Sequence, residues 1–131
     1  MIVGIGIDLI SVSKIAESIK SDAFRRKVFT HAEVKSCESV ASSAECYAGK
    51  FAAKEAFMKA IGEGIHQEVW FTQIEVLNSE TGAHYIQVSG EAERALSTLG
   101  AEQIHINISH TEGMAVAVVV LETVSQAGGS R

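Results

Sequence analysis

Asp8, Glu55, Lys59, Ser109 and His110 are the residues of this chain whose types and spacing can do chemistry. Asp8 closes the segment Gly4-Ile5-Gly6-Ile7-Asp8, where it presents a carboxylate beside two side-chain-free positions. Glu55 and Lys59 stand four residues apart, on one face of a helix together with Ala48, Ala52 and Gly62, small residues that leave that face open. The following Gly62-Glu63-Gly64-Ile65 is glycine-rich, and its backbone amides can approach a phosphate. Hard oxygen ligands such as Asp8 and Glu55 suit magnesium, which takes one or two carboxylates and completes its octahedron with water and phosphate oxygens. Each residue also has a plainer reading. Asp8 can cap the next helix, Glu55 and Lys59 can be a surface ion pair contributing about 0.3 to 0.5 kcal/mol, and His110 can be a solvated histidine of a hairpin loop, residues 109–113.

Other chemistries lack their parts. The two N-terminal glycines are not followed by the third glycine and downstream acid of a dinucleotide fingerprint. No histidine pair has zinc spacing, and no cysteine nucleophile has an evident partner histidine. Cys37 and Cys46 are too few for a disulfide framework and read as unpaired, hydrophobe-like helix residues.

The elements that must position these residues follow from periodicity. Residues 2–8 alternate as a half-buried strand, with Val3, Ile5 and Ile7 on its apolar side and the glycines on a bare, open one. Ser11 or Ser13 caps a short helix carrying Ile15, Ala16 and Ile19, and a polar stretch follows. Thr30-His31-Ala32-Glu33 is a capping box opening another helix. The strongest helical signal spans residues 44–61 and stops at Gly62. Residues 70–77 and 84–89 form a hairpin, 91–99 a helix ended by Gly100, and 104–109 and 114–122 a final strand pair. Strands at both ends with helices between predict one α+β domain over residues 1–124, an antiparallel sheet with helices packed on one face. Residues 125–131 read as a disordered tail.

With 131 residues, 47% hydrophobic and 21% charged, the composition is that of a globular domain and not of a disordered chain. The longest apolar run is strand-sized and no secretory signal is apparent, so a cytoplasmic location without membrane partners is expected. The net charge of −5 argues against nucleic acid as a partner, yet it conceals an asymmetry. Residues 1–59 hold nine basic and seven acidic residues, residues 60–131 two basic and nine acidic. The basic half includes Lys14, Lys20, Arg25, Arg26, Lys27 and Lys35, a face that can meet an acidic partner or lie solvated.

Three segments together resemble the signatures of holo-acyl-carrier-protein synthases, small members of the 4′-phosphopantetheinyl transferase superfamily. They are Gly4-Ile5-Gly6-Ile7-Asp8, then Ala48-Gly49-Lys50-Phe51-Ala52-Ala53-Lys54-Glu55-Ala56-Phe57-Met58-Lys59-Ala60-Ile61-Gly62, and then Ile108-Ser109-His110-Thr111. The match covers about residues 1–122, and its central segment is the specific one. The resemblance implies transfer of the 4′-phosphopantetheine of coenzyme A to a serine of an acyl carrier protein, with 3′,5′-ADP leaving. It implies that Asp8 and Glu55 hold Mg2+, that Lys59 contacts phosphate, and that Lys50, Gly62, Gly64, Ser109 and His110 complete the coenzyme A site. Carrier proteins of this family are acidic, which assigns Lys14, Arg25 and Arg26 to carrier docking. A homotrimer with active sites between subunits is implied as well. The serine proton goes to Glu55 or to a water on the metal, alternatives the residues leave open.

Three positions depart from the pattern. Lys50 replaces a usual arginine, Ser42-Ser43-Ala44 lacks basic residues frequent there, and Gly82-Ala83-His84 stands where Gly-Lys-Pro is common. Ile10 occupies the place of a further acid present in the larger relatives, and the resemblance then implies water in that coordination position. Lysine lacks the planar fork of arginine, so the contacts to the 3′-phosphate and adenine must differ. A non-catalytic trimeric module would lack the carboxylates, and a nucleotide-dependent oxidoreductase would need the complete glycine fingerprint.

Overall fold

The structure, a computed structural model, describes residues 1–62 and 68–124. Its elements are β1 (Ile2–Ser11), α1 (Val12–Ser18), α2 (Asp22–Val28), α3 (His31–Glu38), α4 (Ser43–Ile61), a 3-10 turn (Phe71–Gln73), β2 (Ile74–Asn78), β3 (His84–Val88), α5 (Gly90–Leu99), β4 (Gln103–Thr111) and β5 (Met114–Glu122). Strands β1, β5 and β4 form one antiparallel sheet in that order, and β2 and β3 form a separate hairpin. The expected α+β architecture is present, with helices against one face of the sheet. No described helix is long and apolar enough to cross a membrane.

The caps behave as their residues dictate. Ser11 accepts from the Lys14 amide at 3.4 Å and so fixes the start of α1. Thr30 and Glu33 exchange the two bonds of the capping box, Glu33 N to Thr30 Oγ1 at 3.2 Å and Thr30 N to Glu33 Oε1 at 2.9 Å. The polar stretch after α1 holds a further helix, α2, capped by Ser21 at 3.1 Å from the Phe24 amide. Residues 70–73 precede the hairpin as an exposed Trp70 and a 3-10 turn, so the strand begins at Ile74.

The faces of β1 are the reverse of those expected. Ile5, Ile7 and Leu9 are 61%, 58% and 63% exposed, whereas the glycine side is covered by α4. A Cβ on Gly6 would stand 1.8 Å from the Ala56 carbonyl oxygen, and one on Gly4 2.2 Å from that of Ala60. The glycines therefore make room for the backbone of a helix. For the same reason the small face of α4 is closed: Ala48 and Ala52 have no exposed surface.

At its other end α4 meets the opposite edge strand. A Cβ on Gly49 would lie 2.9 Å from Ile108 Cγ2 and 3.1 Å from His110 Nε2, both on β4. Thus α4 crosses the sheet diagonally, from β4 near its start to β1 near its end.

A buried ion pair locks the helices behind α4. Lys54 and Glu33 have no exposed side-chain surface and stand 2.8 Å apart. Lys54 also donates to the carbonyls of Phe71, at 2.9 Å, and Ile74, while Glu33 Oε2 accepts from the Val76 amide at 2.6 Å. Burial pushes the Lys54 ammonium below its usual range, against the opposing pull of Glu33.

Cys37 and Cys46 are bonded to one another, contrary to the unpaired reading. They stand nine positions apart in sequence, and the α3–α4 corner folds the chain back so that their Cα atoms stand 5.4 Å apart, within bonding reach. Sequence spacing does not reveal that corner.

The glycine contact yields a stability prediction. Gly6→Ala must push α4 off the sheet or distort β1, because the obstacle is helix backbone and cannot rotate away. We expect a loss of about 3 kcal/mol or more in urea denaturation. A loss below about 1 kcal/mol would show that the contact yields easily.

Candidate active site

Between Gly4 and Gly6 the strand advances about 6.6 Å. Over the same step the facing helix residue changes from Ala60 to Ala56, about 6 Å back along α4. Two more strand residues bring Asp8 level with the turn of Ala52 and Glu55. Lys59, one turn further along, leans toward the helix N-terminus as helical side chains do. Its ammonium donates to Asp8 Oδ1 at 3.1 Å and to the Ile7 carbonyl at 3.0 Å. Asp8 keeps 17% of its side chain exposed and Lys59 55%, so the group opens to solvent.

This donor set fits magnesium. Two hard oxygens, from Asp8 and Ile7, already share one cation, the Lys59 ammonium, and the Glu55 carboxylate lies one helical turn before it. Among the described residues no cluster of three or more His, Cys, Asp or Glu gathers, and Asp8 on β1 and Glu55 on the facing helix offer two carboxylates. That is the complement magnesium takes when phosphates and water supply the remainder.

Ser109 and His110 lie within β4, opposite Val116 and Ala115 of β5, because the turn contracts to Glu112 and Gly113, both at positive φ. The expected loop position is corrected accordingly: a two-residue turn with that backbone lets both strands pair to their ends. Neighbouring strand residues face opposite ways. Ser109 shares the outer face of the sheet with Val116, Ile7 and Leu9, whereas His110 faces α4 and places Nε2 3.0 Å from the Glu45 carbonyl.

His110 lines a cavity of about 380 Å³ together with Ser42, Cys46, Gly49, Lys50 and His84. Lys50, 2% exposed, donates to the Val76 carbonyl at 2.7 Å, and burial lowers its pKa despite Glu33 and Glu75. His84, the first residue of β3, is pushed below the ordinary imidazole range by burial, then by Lys50 and His110. Gly49 and His84 have no binding role in the sequence reading, although Gly49 is the second residue of the central motif and His84 stands among the departures from the pattern.

Gly62 caps α4 at φ 94°, and Gly64 lies outside the described residues. Lys14 is exposed on α1. On α2, Asp22 binds both Arg25, at 3.1 Å, and Arg26, and Arg25 also donates to the Ile19 carbonyl. The two arginines border a groove of about 590 Å³ with Phe29, Thr30 and His31.

Residues 4–119 match the family model of the 4′-phosphopantetheinyl transferase superfamily. The chain is 41% identical over 124 residues to the holo-[acyl-carrier-protein] synthase of Halothermothrix orenii, covering 93% of this chain and 98% of that protein. It is 42% identical to that of Koribacter versatilis, covering 93% and 99%. Among solved structures, the Bacillus anthracis holo-(acyl-carrier-protein) synthase in complex with CoA (3′,5′-ADP) matches with a TM-score of 0.77 and 38% identity over 94% of this chain and 98% of that one. The Neisseria meningitidis synthase matches with a TM-score of 0.84 and 30% identity, covering 94% and 100%. The chain belongs to the 4′-phosphopantetheinyl transferase superfamily and, within it, to the holo-acyl-carrier-protein synthases.

The cavity has a pH signature. A lowered imidazole pKa means His84 is neutral at pH 7, and the unfolded chain binds more protons between the folded pKa and 6.5, so stability falls as pH drops through that window. An NMR titration of His84 should give a midpoint below 6.5, because burial disfavours the imidazolium. A midpoint at or above 6.5 would show that burial does not govern this ring.

Proposed function

We propose that this protein transfers the 4′-phosphopantetheine group of coenzyme A to a serine of an apo-acyl carrier protein, with magnesium bound by Asp8 and Glu55. The observation that carries the reading is the contact between Asp8 and Lys59, 3.1 Å apart, which unites two signatures 51 residues distant in sequence. Magnesium, when bound, supplies positive charge to the pyrophosphate oxygens and helps orient them.

The chain's own residues do the rest. Lys59 is tethered to Asp8 and Ile7 yet half exposed, so its ammonium can turn to a substrate phosphate and balance charge that develops on the departing oxygen. The carrier serine hydroxyl attacks the phosphorus bearing pantetheine, its bond to 3′,5′-ADP breaks, and the serine proton passes to a carboxylate of the site. Lys50, His84 and His110 bring nitrogen groups to one wall that can meet the nucleotide end of coenzyme A. The α1–α2 face, with exposed Lys14 and Arg26 and half-buried Arg25, suits an acidic carrier through steering more than through tight ion pairs.

Two features support a homotrimer with shared sites. The outer face of the sheet is apolar, with Ile5, Ile7 and Leu9 paired to Val120, Val118 and Val116. In addition, the Asp8 group lies at the β1 edge and the His110 cavity at the β4 edge, two strand spacings or about 10 Å apart across the sheet. In a closed ring each β1 edge meets a neighbour's β4 edge, completing one site per interface. Ser109, on the outer face, then lies at the junction.

Asp8→Asn and Glu55→Gln should each reduce transfer by at least about a hundredfold while thermal unfolding stays cooperative. The readout is the mass of an apo-carrier, which gains about 340 Da on modification. Near-normal turnover by both folded variants in magnesium buffer would remove the carboxylate mechanism.

Mixed trimers test the shared site. Asp8→Asn and His110→Ala chains, each impaired alone, should regain part of the wild-type activity when refolded together, because some interfaces then carry both intact halves. Mixed trimers no more active than their components would show that each chain serves its own site.

A further inference from the structure

The cystine occupies a position with consequences for binding. Cys37 lies in the last turn of α3 without exposed surface, and Cys46, in the first turn of α4, lines the cavity. The segment that it closes, residues 38–45, supplies Ser39, Val40, Ser42 and Glu45 to the same wall. Glu45, the residue before Cys46, offers the carbonyl that holds His110 Nε2 at 3.0 Å. One side of the cavity is therefore a disulfide loop, tied at its end to a histidine of the opposite side.

We propose that Cys37 and Cys46 form a thiol–disulfide clasp that sets the affinity of this cavity for the nucleotide of coenzyme A. The proposal rests on the placement of coenzyme A in the cavity given above. A cystine in the thiol-rich compartment expected for this chain is uncommon, and those found there are mostly redox-responsive.

Opening needs an external dithiol. Cys46, partly buried and lining the cavity, is the half of the cystine that a reductant meets, since Cys37 has no exposed surface. One thiolate of the dithiol attacks Cys46 Sγ, and the bonding pair leaves on Cys37 Sγ, which takes a proton from solvent. The second thiolate attacks the mixed disulfide, releasing Cys46 as a thiolate that is protonated in turn, and the dithiol ends as a cyclic disulfide. Two electrons pass to the protein.

Reduction does not unfold the corner, because the Tyr47 hydroxyl still donates to Glu38 Oε2 at 2.7 Å across α3 and α4. It loosens the link between α3 and α4, residues 39–42, so a ligand must order the wall on binding and affinity falls by about five- to tenfold. Coupling is reciprocal: a nucleotide in the cavity covers Cys46 and slows the reductant.

The test uses the intact protein and 3′,5′-ADP, a probe with no thiol of its own. Calorimetric titration with magnesium present compares protein oxidised by oxidised glutathione, protein reduced by a dithiol, and the Cys37→Ala/Cys46→Ala variant. The oxidised form should bind about five- to tenfold more tightly than the reduced one. The variant should match the reduced form and ignore the redox state of the buffer. Separately, 3′,5′-ADP should slow disulfide reduction followed by thiol alkylation and mass. Equal affinities for oxidised and reduced protein overturn the clasp while leaving the cavity assignment intact. Failure of oxidised glutathione to pair the cysteines also overturns it. Binding unaffected by His84→Ala and His110→Ala places the nucleotide elsewhere, and the clasp falls with the assignment on which it rests.

Discussion

The close approach of β1 to the backbone of α4 is the constraint on which the other features depend. Gly6 and Gly4 lie against the carbonyls of Ala56 and Ala60, where a single methyl has no room. This contact brings a strand carboxylate beside the turn that carries Glu55, and it lets Lys59 reach Asp8. It also turns the isoleucines of β1 outward, leaving an apolar sheet face that a second chain can cover. The candidate site and the exposed apolar face are thus two sides of one packing choice.

Helix α4 is held at this distance from behind as well. Burying Lys54 and Glu33 carries a desolvation cost, and the pair is tolerated because nearly every donor and acceptor finds a partner: carbonyls of Phe71 and Ile74 for the ammonium, amides of Thr30 and Val76 for the carboxylate. Three lysines of one helix therefore meet three environments. Lys54 is sealed in this network, Lys50 lines the cavity with its charge satisfied by Val76, and Lys59 stands at the solvent edge beside Asp8.

Much of this was legible in the sequence because local rules and a specific central motif carried it. The Thr30–Glu33 capping box, the span of α4 and the hairpin strands follow from cap chemistry and periodicity, and the family follows from the three signatures. What failed were questions of partner. Alternation in β1 gives a period of two but not which side is buried, and the answer was set by a helix some fifty residues away. Glu33 showed its capping role and hid its ion pair, since Lys54 approaches it only in three dimensions. Cys37 and Cys46 were likewise joined by a corner whose path their spacing does not encode.

The diagonal course of α4 also bears on how this chain can vary in length. Its two sheet contacts, at Gly49 and at Ala56 and Ala60, are separated by rigid helix, and each depends on one side of that helix facing the sheet. Inserting or deleting one residue between them rotates the far contact by about 100° and shifts it by about 1.5 Å. Bulky backbone or side chains would then face Gly6, and the carboxylate pair would come apart. Side chains here are exchangeable in principle, but the register is not, whereas the β2–β3 turn at residues 79–83 is exposed and can lengthen or shorten without moving either contact.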